Sequence, residues 1–157
     1  MKIKFIVIGK TNSDFLVSGE KEFAKRLKHY CKFEEILISE VKNGGKLTRE
    51  ELKIKEGKLI LSKLNSNEEI ILLDNNGKSY SSKGLSKFIH QKMLTSTKSI
   101  AFIVGGAYGF SEEVYSIANS QLSLSKMTFS HQMVRLIFKE QLYRAFTIIR
   151  GEKYHHE

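Results

Sequence analysis

The chain of 157 residues contains no proline, no tryptophan and a single cysteine. Average usage would give about eight prolines, so its turns must depend on Gly, Asn, Asp and Ser. The lone cysteine, Cys31, excludes an intrachain disulfide, which is typical of a reducing cytoplasm. It follows a helical stripe of Phe23, Leu27 and Tyr30, and this spacing predicts core packing rather than a catalytic thiol.

Long hydrophobic runs and metal-ligand spacings are also lacking. The apolar runs at residues 5–8, 70–73 and 100–104 are far shorter than the roughly 20 residues that cross a bilayer. Residues 1–10 lack the apolar core and cleavage site of a secretory signal. The five histidines include one adjacent pair but no zinc-like spacing. We therefore expect a cytoplasmic protein without a membrane partner or a metal.

Positive charge is what the chain has in excess. It carries 26 Lys plus Arg against 17 Asp plus Glu, a formal net charge of +9. Such a balance favours a polyanionic partner, above all nucleic acid. Lys21, Lys25, Lys28 and Lys32 recur at helical spacing, which is typical of a solvated face that can also touch phosphates. The length fits one domain spanning residues 1–157.

Predicted strands and helices alternate along the chain. The strands are expected at residues 3–8, 35–41, 70–73, 100–104 and near 122–124. The helices are expected at residues 18–30 with a Ser18 cap, after a capping box at Thr48 and Glu51, at 83–93, after Ser111, and from about residue 131 onward. This order predicts an α/β fold, a mainly parallel sheet with helices on both faces.

Ligands of such sheets bind at the carboxyl ends of the strands, where three informative loops are expected. They follow Leu73 (a predicted turn at residues 74–77), Val104 and Leu124. The second loop, residues 105–109, has the sequence Gly-Gly-Ala-Tyr-Gly, whose backbone can approach a ligand closely. It matches neither the dinucleotide nor the phosphate-loop pattern, and alone it equally fits a tight turn.

The last helix carries polar groups at both ends. A buried stripe is predicted at three- and four-residue steps, formed by Val134, Ile137, Phe138, Gln141, Ala145 and Ile148. His131 and Arg135 share one face and could jointly meet an anion, while Arg144 lies roughly 180° around the helix. Each arginine taken alone is equally typical of a solvated or salt-bridged position.

The segment SKMTFSHQMVRLIFKEQLYRAFTIIRGEKYH resembles the C-terminal signature of the bacterial ribosomal RNA large-subunit methyltransferase H family, small enzymes of the SPOUT class. The likeness extends over the chain through MKIKFIVIGK, LLDNNGKSYSSKGL and FIVGGAYGF. It implies a C-terminal trefoil knot and a homodimer. Two places depart from the family pattern, since Ser130 and Lys153 stand where the family usually has proline. Ser130 can still cap the final helix.

The resemblance implies S-adenosyl-L-methionine as the cofactor, bound inside the knot. The implied cofactor residues are Leu73, Gly105, Leu124, Ser125, Lys126, Met127, Thr128 and Phe129. An adenine ring needs an apolar slot with backbone hydrogen bonds, which these residue types can supply. Taken singly, the leucines, Met127 and Phe129 are equally consistent with core packing.

The implied activity is methylation of N3 of a pseudouridine in 23S rRNA, on the assembled ribosome. The candidate catalytic residues are His131, Arg135, Arg144, Tyr154 and His155. His131 or His155 could take the imino proton, and Tyr154 could stack on a base. Two alternatives stay open: a basic ribosome-binding protein without transfer activity, and a transfer RNA methyltransferase.

Overall fold

The computed structural model describes residues 1–154, so the predicted site residue His155 lies outside the described residues. Its strands are β1 (Lys2–Ile8), β2 (Lys32–Ile38), β3 (Glu69–Ser79), β4 (Ser99–Val104) and β5 (Ser120–Ser123). Its helices are α1 (Asp14–Leu27), α2 (Arg49–Leu61), α3 (Ser82–Leu94), α4 (Glu112–Ile117) and α5 (Met133–Ile149), with a 3-10 turn at Gly44–Lys46.

All five strands pair in parallel, in the order β2-β1-β4-β3-β5. The core divides between the two faces of this sheet. Helices α1, α3 and α5 cover one face, where Phe5 and Phe102 pack on Phe138. Helices α2 and α4 cover the other through Ile60 and Val114. The predicted parallel α/β sheet with helices on both faces is confirmed, and the knot stays a prediction of the resemblance.

Helix caps test the local predictions. The capping box is confirmed: the Thr48 hydroxyl accepts from the Glu51 amide, while the Glu51 carboxylate accepts from the Thr48 amide at 2.8 Å. The Ser111 hydroxyl likewise accepts from Val114 at the start of α4. The Ser18 cap is wrong, because α1 already begins at Asp14 after Ser13. The earlier start allows α1 to bury one more leucine than predicted.

Strand β3 continues where a turn was predicted. Leu73 and Lys78 both align with Leu122 of β5, so residues 74–77 form an outward bulge inside the strand. A Cβ on Gly77 would lie 2.6 Å from backbone atoms of Gln121 and Leu122, which explains why glycine stands there. The prediction that the strand ends at Leu73 is wrong, but residues 74–77 do interrupt its regular pairing with β5.

Cys31 packs partly buried against the core beneath α1, as predicted. Its thiol donates to the Leu27 carbonyl at 3.7 Å, and burial raises the pKa of Cys31 to about 12. This environment disfavours the thiolate, the nucleophilic form. No helix in residues 1–154 has the length and hydropathy to span a membrane.

Candidate cofactor pocket

A cavity of about 500 Å³ opens at the carboxyl ends of strands β4 and β5 and beside the bulge of β3. The bulge at 74–76, the glycine loop at 104–110, and the segment leading from β5 into α5 form its wall. Because these strands are parallel, their carboxyl ends meet at one edge of the sheet. The three loops predicted to cooperate are therefore brought together around one space.

Most of the implied cofactor residues line this cavity. They are Leu73, Gly105, Leu124, Ser125, Thr128 and Phe129, and His131 joins them. The side chains of Lys126 and Met127 do not line it, and Met127 is 71% exposed. The wall thus combines apolar side chains with hydroxyl, amide and backbone groups in comparable measure.

The glycine loop is held closely from both sides. Gly109 has a φ of +82°, and a Cβ on Gly105 would lie 3.2 Å from the Gly109 backbone. Behind the loop, a Cβ on Gly106 would lie 2.3 Å from a carboxylate oxygen of Glu56. Glu56 is buried, and its Oε2 has no hydrogen-bond partner within residues 1–154. Burial, followed by the nearby Glu40 charge, raises the pKa of Glu56.

Asp74 and Tyr115 form a polar corner of the cavity that the sequence did not single out. The Tyr115 hydroxyl donates to Asp74 Oδ2 at 2.6 Å, and the Asn76 amide donates to Oδ1 at 2.8 Å. Burial, and then the bond to Asp74, raises the pKa of Tyr115 to about 12. Asp74 is the one Asp, Glu, Lys or Arg among the described lining residues. The position of Asp74 directly after the buried apolar run at residues 70–73 was the signal that could have found it.

The segment before α5 is shaped by its own hydroxyl groups. The Ser123 hydroxyl donates to the Ser125 carbonyl at 2.9 Å, and the Ser125 hydroxyl accepts from the Met127 amide at 2.9 Å. The Ser130 hydroxyl accepts from the Met133 amide at 3.1 Å, the first residue of α5. The N-cap residue of α5 is Gln132, whose side chain makes no capping hydrogen bond, so the predicted Ser130 cap is confirmed only as this hydroxyl contact to the first helical amide. Ser130 stands in the place of the proline that is usual in the resembled family.

Arg135 does not reach this cavity. Its side chain is 1% exposed and donates to the carbonyls of Ile8 at 2.5 Å and Gly9 at 2.8 Å, and to the Thr11 hydroxyl at 3.2 Å. The predicted joint anion site of His131 and Arg135 is wrong for this arrangement, because Arg135 points to the end of β1. Burial lowers the pKa of Arg135, while nearby glutamates act in the opposite direction.

Lys139 lies one turn further along α5 and is also buried. Its ammonium contacts Glu20 at 2.7 Å and Glu35 at 2.8 Å, which neutralises a cation that is 1% exposed. The helix therefore buries two cations where the predicted stripe held only apolar residues and glutamine. Phe138 and Ala145 of that stripe are buried, and its other four members are half-buried.

Arg144 and Tyr154 form a cluster of their own. Arg144 pairs with Glu140 at 2.6 Å, and its guanidinium lies 4.8 Å from the centre of the Tyr154 ring. The Tyr154 hydroxyl donates to Glu140 at 3.0 Å, and its ring meets Tyr143 edge-on. Neither Arg144 nor Tyr154 lines the 500 Å³ cavity of this chain.

Fold and site together define a parallel α/β protein with a cavity of about 500 Å³ at the edge of the sheet where β4, β3 and β5 lie side by side. A family model described as "Predicted SPOUT methyltransferase" matches residues 1–155. The chain belongs to the SPOUT methyltransferase family.

Related proteins agree with this membership. The chain is 52% identical to ribosomal RNA large subunit methyltransferase H of Christiangramia forsetii, over 99% of each chain. It is 51% identical to the protein of the same name from Flavobacterium johnsoniae, over the full length of both. Among solved structures, a probable methylase family protein from Haemophilus influenzae matches with a TM-score of 0.52 and 14% identity, covering 99% of this chain and 70% of that chain. That last likeness concerns the fold alone.

Proposed function

We propose that this protein methylates N3 of a pseudouridine in 23S rRNA of the assembled ribosome, with S-adenosyl-L-methionine as the donor. The observation that carries the proposal is the convergence of three segments on one cavity: the bulge of β3, the glycine loop after β4 and the segment after β5. The names of the full-length relatives support ribosomal RNA as the substrate class. The net charge of +9 suits a polyanionic substrate.

The residues of the cavity fit the donor. Leu73, Leu124 and Phe129 offer an apolar slot for an adenine ring, and the backbone of the glycine loop and of residues 125–129 offers hydrogen bonds. Asp74 places a carboxylate in the wall, which suits a ligand that carries cationic groups. When bound, the donor supplies a methyl group already activated by its sulfonium centre.

The protein then has two tasks, to align the acceptor nucleotide and to assist loss of its N3 proton. Alignment alone contributes on the order of 7 to 11 kcal/mol in ideal intramolecular systems. His131 lines the cavity and is exposed to an incoming substrate, so it is one candidate for the base. His155, outside the described residues, is the other.

A homodimer would give the Arg144 and Tyr154 cluster a direct role. The two residues lie away from the cavity of their own chain, so a second protomer would bring them to the cavity of its partner. In that arrangement Arg144 would meet RNA phosphate, and Tyr154 would stack on a base. We accordingly propose a cytoplasmic, knotted, dimeric enzyme composed of the single domain 1–157.

The test is calorimetric titration with S-adenosyl-L-methionine, followed by methyl transfer to ribosomes from a strain that lacks this activity. We expect saturable binding and label in 23S rRNA, located at a pseudouridine N3 by mass spectrometry of nuclease fragments. Gly105→Val should abolish binding because a branched side chain would collide with the Gly109 backbone. Gly45→Val, at a glycine where an added Cβ would meet no other atom within 4 Å, is the matched control and should bind normally.

Other outcomes point to the alternatives. Binding to ribosomes without donor binding would indicate a ribosome-binding protein that lacks transfer activity. Donor binding with label in transfer RNA but not in 23S rRNA would indicate a transfer RNA methyltransferase. Either result would overturn the proposed function.

A further inference from the structure

A second cavity, of about 570 Å³, lies between strand β2 and helix α2. Its floor is apolar, formed by Leu37, Val41 and Leu59, and Leu37 is 48% exposed. Four lysines surround that floor, namely Lys42, Lys55, Lys58 and Lys63. We call this feature the lysine groove. It is distinct from the candidate cofactor pocket, and within residues 1–154 the two share no lining residue.

The charge of the lysine groove is only partly compensated by acidic groups: Glu40 lines the groove, and Glu51, one helical turn before Lys55, interacts with the charge of that lysine. Its four lysines are exposed, and none of their ammonium groups has an ion pair or hydrogen bond within residues 1–154. Elsewhere exposed or half-exposed lysines do find carboxylates, as Lys53 does with Glu50 at 2.7 Å. Glu40 is the one acidic residue among the described residues that line the groove. The local field therefore favours an anion.

The lysine groove is connected to the cofactor pocket through α2. Residues 39–42 follow β2 at the same edge of the sheet where the pocket opens. At the start of α2, Arg49 lies over the ring of Tyr108, 5.2 Å from its centre, and Tyr108 lines the pocket. The lysines then extend from this edge along α2 to its far end, where Lys63 lies just beyond the helix.

We propose that the lysine groove binds the phosphate backbone of RNA flanking the nucleotide that enters the cofactor pocket. This inference rests on the proposed function, because it takes RNA as the substrate class. Lysines near an edge strand such as β2 also deter unwanted strand pairing. That role would not require Lys55, Lys58 and Lys63, which belong to α2 or follow it.

The experiment compares two variants with equal charge change. In the groove variant, Lys42, Lys55, Lys58 and Lys63 are all replaced by glutamine. In the control variant, the exposed lysines on and after α1 are replaced in the same way: Lys21, Lys25, Lys28 and Lys32. Binding to purified 50S ribosomal subunits is measured by fluorescence anisotropy at several salt concentrations, and binding of S-adenosyl-L-methionine by calorimetry.

We expect the groove variant to bind the subunits roughly tenfold or more weakly. The slope of its salt dependence should fall by about 0.7 to 0.9 for each phosphate that the variant no longer neutralises. The control variant should change little, and both should bind S-adenosyl-L-methionine normally. A Lys→Arg version of the groove variant, which keeps the charge, should restore binding. Equal loss of binding in the two glutamine variants, or no loss in either, would overturn the proposal. If the groove variant binds normally but aggregates, the lysines protect the edge strand β2 and the proposal is also overturned.

The design separates this proposal from the proposed function. If the wild-type protein does not label 23S rRNA, while the groove variant still loses subunit binding selectively, the enzymatic proposal fails and the groove stands. If the wild-type protein labels 23S rRNA and the groove variant labels it equally well at limiting ribosome concentration, the groove fails and the enzymatic proposal stands.

Discussion

The carboxyl ends of strands β1 and β4 lie at the same edge of one parallel sheet, yet they are occupied differently. At the end of β1, the buried guanidinium of Arg135 binds the carbonyls of Ile8 and Gly9, and smaller cavities of about 310 and 340 Å³ remain beside it. At the end of β4, between the bulge of β3 and strand β5, no comparable side chain of the described residues enters, and a cavity of about 500 Å³ remains. A position at a carboxyl end is therefore insufficient to make a site.

Helix α5 creates this difference. Its buried cations, Arg135 and Lys139, face the β1 and β2 side. There glutamates neutralise Lys139, and carbonyl oxygens bind the terminal nitrogens of Arg135, whose Nε has no hydrogen-bond partner within residues 1–154. Its half-buried Val134 and the preceding His131 face the cavity. The same helix thus places a buried cation at the end of β1 and borders the pocket beside β4 and β5. Changes at the two ends should separate stability from ligand binding.

The largest effect is expected from Arg135→Ala. Loss of the guanidinium leaves buried carbonyls without their donor and opens a void, so unfolding free energy should fall by about 3 kcal/mol. Urea unfolding measures this. Affinity of the folded fraction for S-adenosyl-L-methionine should stay normal, because Arg135 does not line the pocket. Arg150→Ala, at a half-exposed arginine, is the control and should cost at most about 1 kcal/mol.

A stable Arg135→Ala protein that has lost ligand binding would contradict the structural role assigned to Arg135 at the end of β1. It would return Arg135 to the joint anion binding that its spacing from His131 first suggested.

Arg144→Ala sharpens the comparison, because Arg144 contacts neither the end of β1 nor the candidate cofactor pocket. We expect methyl transfer to ribosomes to fall by roughly tenfold to a hundredfold, or about 1.4 to 2.7 kcal/mol in activation free energy. Binding of S-adenosyl-L-methionine should change far less. Single-turnover transfer and calorimetry on the same preparation measure the two quantities. Equal loss in both would show that Arg144 supports the cofactor pocket instead.

In the candidate cofactor pocket, Asp74→Asn should weaken binding of S-adenosyl-L-methionine by roughly tenfold. Binding of S-adenosylhomocysteine, which lacks the sulfonium charge, should be affected less. Calorimetry with both ligands gives the ratio. Tyr115→Phe is the matched control, since it removes the hydroxyl that donates to Asp74 but keeps the carboxylate charge. Its two affinities should keep the wild-type ratio. Equal weakening of both ligands by Asp74→Asn would point to a group that the two ligands share, a ribose hydroxyl or the α-ammonium group, rather than to the sulfonium charge.

The smallest effect concerns Glu56 behind the glycine loop. Its pKa is raised by burial, so the folded state disfavours its charged form. The contribution of this group to stability should therefore grow as the pH falls from neutral through its folded pKa, and level off below the ordinary carboxyl range. Glu56→Gln should stabilise the protein by roughly 1 kcal/mol at neutral pH and by nothing at low pH.

Thermal unfolding of both proteins across this pH range measures the difference and cancels the titration of other groups. A variant that is less stable at neutral pH would show that the Glu56 charge is satisfied in solution.

Sequence patterns predicted what depends on near neighbours. The Thr48 capping box, the short helix after Ser111 and the alternation of strands with helices all arise within a few residues. The three pocket loops were also predictable, because a parallel sheet brings strand ends together. The start of α1 was misplaced because Ser13 and Ser18 are equally good caps by residue type.

Long-range partners account for the remaining differences. Nothing near Arg135 in the sequence shows that it will meet the carbonyls of Ile8 and Gly9, more than 120 residues away. The burial of Lys139 likewise depends on Glu20 and Glu35, which lie on other elements. A cation on an amphipathic helix is usually exposed to solvent, so the helical pattern alone favoured exposed positions for Arg135 and Lys139, which are in fact buried.

The environment of Cys31 has a consequence for spectroscopy. Because burial raises the pKa of its thiol to about 12, almost none of the reactive thiolate is present at neutral pH. Maleimide dyes would therefore label the native chain slowly, and one added cysteine could carry a fluorophore without removal of the natural one. Met127, 71% exposed in the segment that borders the pocket, is a suitable place for that reporter. Occupancy of the pocket could then be followed by light in real time.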